Sequence, residues 1–224
     1  FARFHPAFNR TIFLPAIQAA RDSLEGETGE FARAWGNRPM VDSGEVFPTE
    51  VWARCVSRSA APDLAKRITI AVDITYERDF AAVAICDSDG TVGLFEYKPG
   101  VEWVVDYVET LSKEHKADVV FDGKGPAGSL EGLNQLKKSK PFNGRQVIEA
   151  CAIFYDAVAD QQITVRQDPD VEAAIVGLAK KDIGDSYVWH RKASSKDVSP
   201  LYAVTLAFVG SRKPSKRPVQ MISL

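Results

Sequence analysis

The chain has 224 residues, 45% hydrophobic and 26% charged, enough for one good-sized domain with extra elements. A net charge of −2 excludes a protein that is basic overall, so any nucleic-acid contact must come from local cations. The three cysteines show no metal spacing, and the sequence shows no signal peptide and no apolar run long enough for a bilayer, which argues against a zinc module and a membrane span.

Residues 1–62 read as an N-terminal arm or linker. Ile12 to Leu24 and Glu30 to Trp35 are predicted helices among scattered Gly and Pro, without a core of their own. Pro48-Thr49-Glu50-Val51-Trp52 reads as a short helix start, and Ser57 to Pro62 as a linker. The opening at Phe1, with no initiator Met, reads as a piece of something longer. The main domain is predicted over 63–211, with a basic tail at 212–224.

Arg67 to Thr75 reads as a strand with Ile68, Ile70, Val72 and Ile74 on one face. Thr69, Ala71, Asp73 and Thr75 lie on the other. Such an apolar strand is predicted to be central and covered on both faces. Tyr76 to Asp79 is a tight connection, and Phe80 to Cys86 a second strand. Asp87-Ser88-Asp89-Gly90 is a hairpin signal, and Thr91 to Tyr97 a third strand. Val101, Val104, Val105, Val108 and Leu111 mark one face of a helix. Asp118 to Asp122 follows as a strand, with a right-handed parallel crossover expected. A helix is predicted from about Ser129 to Lys138, and a fifth strand at Gln146 to Glu149. Ile153 to Val158 and Val171 to Lys180 are further predicted helices. Ser186 to Trp189 reads as extended, and Leu201 to Val209 as a buried helix. Cys86 and Cys151 sit in apolar runs and are predicted to be buried free thiols, which fits a reducing compartment.

The order is β-β-β-α-β-α-β-α. It predicts an α/β domain with a ribonuclease H-like mixed sheet: an antiparallel three-strand meander, then parallel strands, flanked by helices. In that order the first and fourth strands are parallel neighbours. Asp73 and Asp122 then face each other at strand carboxyl ends, where α/β sheets bind ligands. Two carboxylates that close repel unless a cation sits between them. On that ground, removing the Asp73 charge is expected to leave the fold intact or to stabilise it. Mg²⁺ or Mn²⁺ suits such a site, and a pair of such ions supports phosphodiester cleavage. Asp197, entering the buried helix, is the expected third carboxylate, with Asp185 in reserve. Each has a plainer reading: a strand-end turn for Asp73, an Asx-turn for Asp122, a helix N-cap for Asp197 and turn chemistry for Asp185. Lys124, Arg191, Lys192 and Lys196 flank these acids and are candidate phosphate contacts, though lysines on a solvated surface are the plain alternative. The Gly123–Gly128 stretch lacks P-loop spacing, and His5, His115 and His190 form no zinc pattern.

The residues Ala71-Val72-Asp73-Ile74-Thr75, Val119-Val120-Phe121-Asp122-Gly123-Lys124-Gly125-Pro126-Ala127-Gly128, Ala150 to Val158, Asp185 to Trp189 and Lys196 to Leu201 together resemble the C-terminal nuclease domain of phage terminase large subunits. The Glu30 to Trp35 segment resembles the connection to the packaging ATPase. The resemblance implies a ribonuclease H-like, two-metal endonuclease cutting concatemeric double-stranded viral DNA, with Asp73, Asp122 and Asp197 in its three acidic motifs. It further implies an upstream ATPase domain, a portal and a small terminase subunit as partners, and work in the host cytoplasm rather than in the mature particle. Two other readings stand beside it: an actin-like or sugar-kinase-type ATP-binding domain, and a catalytically silent docking module.

Overall fold

The computed structural model describes residues 45–212 and the isolated positions Pro15 and Gln18. The predicted helix at 12–24, apart from those two positions, the predicted helix at 30–35 and the tail beyond Arg212 lie outside the described residues. One compact unit begins at Glu45. Helix α1 (Thr49–Cys55) and strand β1 (Val56–Ser57) open it. Residues 45–57, placed in the arm by composition, are packed into this unit. Val46, Phe47, Trp52 and Cys55 are core residues.

The meander is β2 (Ile68–Ile74), β3 (Phe80–Asp87) and β4 (Thr91–Pro99). The Asp87–Gly90 turn follows the expected chemistry: Gly90 takes positive φ, and Asp87 Oδ1 accepts from the backbone N–H of Asp89 and Thr91. Helix α2 (Val104–His115) crosses to β5 (Asp118–Asp122). A short 3₁₀ turn (Pro126–Ser129), α3 (Glu131–Gln135) and β6 (Ser139–Phe142) follow. Then come α4 (Gly144–Ala159), β7 (Thr164–Arg166) and α5 (Pro169–Val176). A hairpin of β8 (Lys180–Ile183) and β9 (Ser186–Trp189) leads to α6 (Ser199–Ser211).

The sheet order is β1-β7-β4-β3-β2-β5-β6. β2, β3 and β4 are antiparallel in sequence, whereas β5 runs parallel to β2 and β6 parallel to β5. This is the mixed, helix-flanked ribonuclease H-like sheet expected. β2 is buried at every position because helices cover both faces. On one face Ile70, Val72 and Phe121 pack with Val104, Val108 and Leu133. On the other, Ala71, Ala82 and Ala84 pack with α4 and α6. Their small side chains let α6 come close: a Cβ on Gly210 would lie 2.9 Å from Thr69 Cγ2.

Three predicted elements differ. The helix expected from about Ser129 to Lys138 is confined to Glu131–Gln135, behind the 3₁₀ turn. Gln146 to Glu149 is not a strand but the first turn of α4. Asn143 Oδ1 accepts from Gln146 N–H and Gln146 Oε1 accepts from Asn143 N–H, a capping box that starts the helix there. The fifth strand of the order is instead β6, a polar edge strand whose Pro141 an edge tolerates. The helix predicted to run to Lys180 stops at Val176. Gly177 lies so close to Lys196 that a Cβ there would sit 2.8 Å from its backbone nitrogen.

Candidate active site

Asp73 stands one residue beyond the Val72–Phe121 pair of the β2–β5 ladder, level with Asp122. Neighbouring strands lie about 4.8 Å apart. The two acids therefore sit side by side on the sheet face covered by α4 and α6. Asp73 also pairs with Ala82, and Ala82 with Tyr97, so Tyr97, Ala82, Asp73 and Asp122 form one row across four strands.

Tyr97 reaches this row through an irregularity. Leu94 opposes Ala84, yet Glu96 opposes Val83, so Phe95 is an extra residue in β4. A bulge of this kind inverts the alternation beyond it. Without it Tyr97 would point to the opposite face. With it, the Tyr97 hydroxyl donates to Asp197 Oδ2 at 2.8 Å. Asp197 Oδ1 accepts from Ser199 N–H and Oγ–H, which anchors the carboxylate at the start of α6. Burial, then the bond to Asp197, raises the Tyr97 pKa, so its hydroxyl stays a donor.

The Asp73 carboxylate is 0% exposed. Its partner is Arg191, whose Nη1 donates to Oδ2 at 2.5 Å and Nη2 to Oδ1 at 2.7 Å. The guanidinium lies 3.9 Å from the centroid of the Tyr202 ring, and the Tyr202 hydroxyl donates to the Trp189 carbonyl. Burial pushes the Asp73 carboxyl up to about 6 against the pull of Arg191, with Asp122 and Asp197 adding to the rise. Burial works against the Arg191 charge too, but the charge and hydrogen bonds of Asp73 outweigh it and hold that pKa above its ordinary value. The loop carrying Arg191 is folded by His190, whose Nδ1 accepts from Lys192 and Ala193 N–H while its carbonyl accepts from Ser194 Oγ–H.

Asp122 is half-buried and does have an Asx role: Oδ1 accepts from Lys124 N–H at 2.9 Å. Among the described residues no donor bonds its Oδ2. The glycines after it serve this turn. A Cβ on Gly125 would sit 2.5 Å from Asp122 Oδ2, and one on Gly128 would sit 2.3 Å from the Gly123 carbonyl oxygen. The stretch is closed on itself and on Asp122. Lys124, Lys192 and Lys196 are exposed, and Lys192 Nζ lies over the Tyr76 ring at 4.1 Å. Arg191 is not the open phosphate contact expected of it, because its guanidinium is engaged by Asp73. Asp185 lies exposed in the β8–β9 turn. A cavity of about 560 Å³ lined by Arg67, Asp89 and Arg212 lies at the opposite end of β2, away from these acids.

Among the described residues no three His, Cys, Asp or Glu side chains gather closely enough to hold a metal ion together. The donor chemistry nevertheless suits a hard divalent cation. Mg²⁺ takes one or two carboxylates and completes its shell with water and phosphate. Asp73 and Asp122 supply that pair, and Asp73 already needs a cation, in this conformation Arg191.

Sequence reasoning missed Tyr97 and Tyr202, and it missed the Asp73–Arg191 pairing. No local pattern in the sequence marks these three, since the partners are far apart along the chain.

No protein-family model matches the chain, and no curated protein matches it. Solved structures do match. The large terminase nuclease from thermophilic phage G20c aligns over 71% of this chain and 95% of its own, at 15% identity and a TM-score of 0.57. The fold is that of the large terminase nuclease. The G20c nuclease with bound magnesium aligns over 71% of this chain and 94% of its own, at 16% identity and TM-score 0.55. The HK97 bacteriophage large terminase gives TM-score 0.58 at 11% identity, over 73% of this chain and 43% of that one.

Proposed function

We propose that this chain is a divalent-cation-dependent DNA endonuclease domain of a viral packaging terminase, cutting concatemeric double-stranded DNA. The observation that carries the reading is the row of Asp73 and Asp122 on adjacent parallel strands, with Tyr97 of the same row bonded to Asp197, on a large terminase nuclease fold. Asp73 and Asp122, with Asp197, would hold two divalent cations, Mg²⁺ or Mn²⁺. When bound, such ions activate a water and stabilise the leaving oxygen of a phosphodiester. The chain's own work is positional. The sheet sets the spacing of Asp73 and Asp122, and Tyr97 with the α6 N-terminus sets Asp197. Lys124, Lys192 and Lys196 would meet backbone phosphates without reading bases.

In this reading the chain works with an upstream ATPase domain, the portal and a small terminase subunit, in the host cytoplasm and outside the mature particle. Among the described residues no helix is long and apolar enough to cross a membrane. The Gly123–Gly128 turn, closed on itself and on Asp122, lends the ATP-binding alternative no support. Supercoiled plasmid incubated with the chain and Mn²⁺ is expected to be nicked and linearised, and chelator is expected to stop it. Intact plasmid under all conditions, with or without ATP binding, would remove the nuclease reading.

A further inference from the structure

The Asp73–Arg191 pair has a consequence for how any metal enters. Both Asp73 oxygens are taken by one fork of N–H donors, the geometry in which guanidinium and carboxylate fit best. The fork is backed by the Tyr202 ring, and the carboxylate has no solvent exposure. A divalent ion on Asp73 would need an oxygen that the fork already occupies, and it would set its charge directly beside the guanidinium where screening is weak. Co-occupancy is therefore disfavoured, and one cation must give way to the other.

We propose that Arg191 is the internal cation of the carboxylate site, and that a divalent ion binds by displacing its guanidinium from Asp73. The exchange rests on the nuclease reading above and deepens it. It accounts for a fully buried acid at the end of an otherwise apolar strand: Arg191 keeps Asp73 paired until metal arrives. Arg191 follows β9 closely, in a loop of small residues, Ala193, Ser194 and Ser195, that is held by the His190 ring and by the Ser195 N–H bond to the Gly177 carbonyl. Once displaced, the guanidinium stays tethered beside the site, next to exposed Lys192.

The test is calorimetric Mn²⁺ titration of the full chain as wild type, Arg191→Met and Arg191→Lys, with thermal melts and plasmid cleavage in parallel. Arg191→Met removes the competitor and should bind Mn²⁺ at least about tenfold more tightly than wild type. Its metal-free melting temperature should fall, and Mn²⁺ should raise it by more than it raises that of wild type. Arg191→Lys, whose ammonium cannot fork, should lie between the two. It serves as the reading variant if Arg191→Met does not fold. Mn²⁺ affinity that is equal or weaker in the folded variants, with wild-type cleavage intact, overturns the exchange and leaves the nuclease standing. Absence of both Mn²⁺ binding and cleavage in wild type takes both proposals down. A Mn²⁺-soaked crystal with Arg191 still forked on Asp73 also overturns the exchange.

Discussion

The two faces of the central sheet are built from the same strands and do opposite things. On one face the strands present Ile70, Val72 and Phe121 to Val104, Val108 and Leu133, apolar against apolar. The other carries Asp73, forked by Arg191, near the carboxyl end of β2 on the face packed under α4 and α6. The apolar face gains its stability from burial and shape. The other has small residues, Ala71 and Ala82, where the first has branched ones. That spacing admits a fully buried helix and leaves room for a carboxylate, a guanidinium and two tyrosines. The candidate face is thus marked by small strand residues together with two carboxylates, and the opposite face by mostly branched and aromatic residues.

The largest effect that could break this contrast belongs to Asp73→Ala. Metal-dependent plasmid cleavage should drop to background. Stability should fall by about 3–5 kcal/mol, because Arg191 is left buried and unpaired. This reverses the stabilisation expected from carboxylate repulsion alone, since the site already contains its cation. Chemical denaturation of Asp73→Ala and of the Asp73→Ala/Arg191→Met double variant measures it. The double variant should recover part of the loss, and additive losses would show that the pair is not energetically coupled.

On the apolar face, Ile70→Ala should cost about 2–5 kcal/mol by cavity formation. Cleavage per folded molecule should be unchanged well below the melting temperature. A folded Ile70→Ala protein that cannot cut would mean that the two faces are not separable. A smaller effect is expected from Tyr97→Phe. Losing one hydrogen bond to the partly buried Asp197 should cost about 1 kcal/mol, because Ser199 still holds the other oxygen. Cleavage should fall by more than stability does, and a kinetic comparison at matched folded fraction checks this.

Much of this architecture is legible in the chain and some is not, for identifiable reasons. The alternation along β2 reveals a doubly covered strand, and the turn residues after it reveal the meander. Asp73 and Asp122 stand out because each ends an apolar strand. Arg191 reads as a surface cation because its partner lies 118 residues away, and no local pattern encodes that pairing. Tyr97 is hidden by the extra residue at Phe95, which inverts the strand's alternation and leaves no mark in composition. Gln146 to Glu149 reads as a strand although the contrary cue is present: Asn143 and Gln146 have capping-box spacing. The β6 edge escapes notice because Lys138 and Lys140 look like a solvated helix end, and Lys140 in fact pairs with Asp118 at 2.6 Å.

The smallest effect expected concerns the rim, where the face carrying Asp73 and Asp122 meets solvent. Lys192 and Lys196 follow Arg191 on the same loop, and both are exposed. Lys192 sits over Tyr76, which is 56% exposed beside the end of β2. An exposed lysine held over an exposed ring adds little to stability, so that placement needs another use, and a phosphate backbone arriving at Asp73 and Asp122 would pass it. Replacing both lysines with alanine should leave the melting temperature nearly unchanged. It should weaken duplex DNA binding similarly on unrelated sequences. Each lysine–phosphate pairing removed lowers the slope of log affinity against log salt by about 0.9, so the double variant should give a slope shallower by up to about 1.8. Titrations at several salt concentrations, with Ca²⁺ in place of Mn²⁺ to prevent cutting, measure the slope. An unchanged slope would make this rim ordinary solvated surface and would leave Lys124 to meet the DNA.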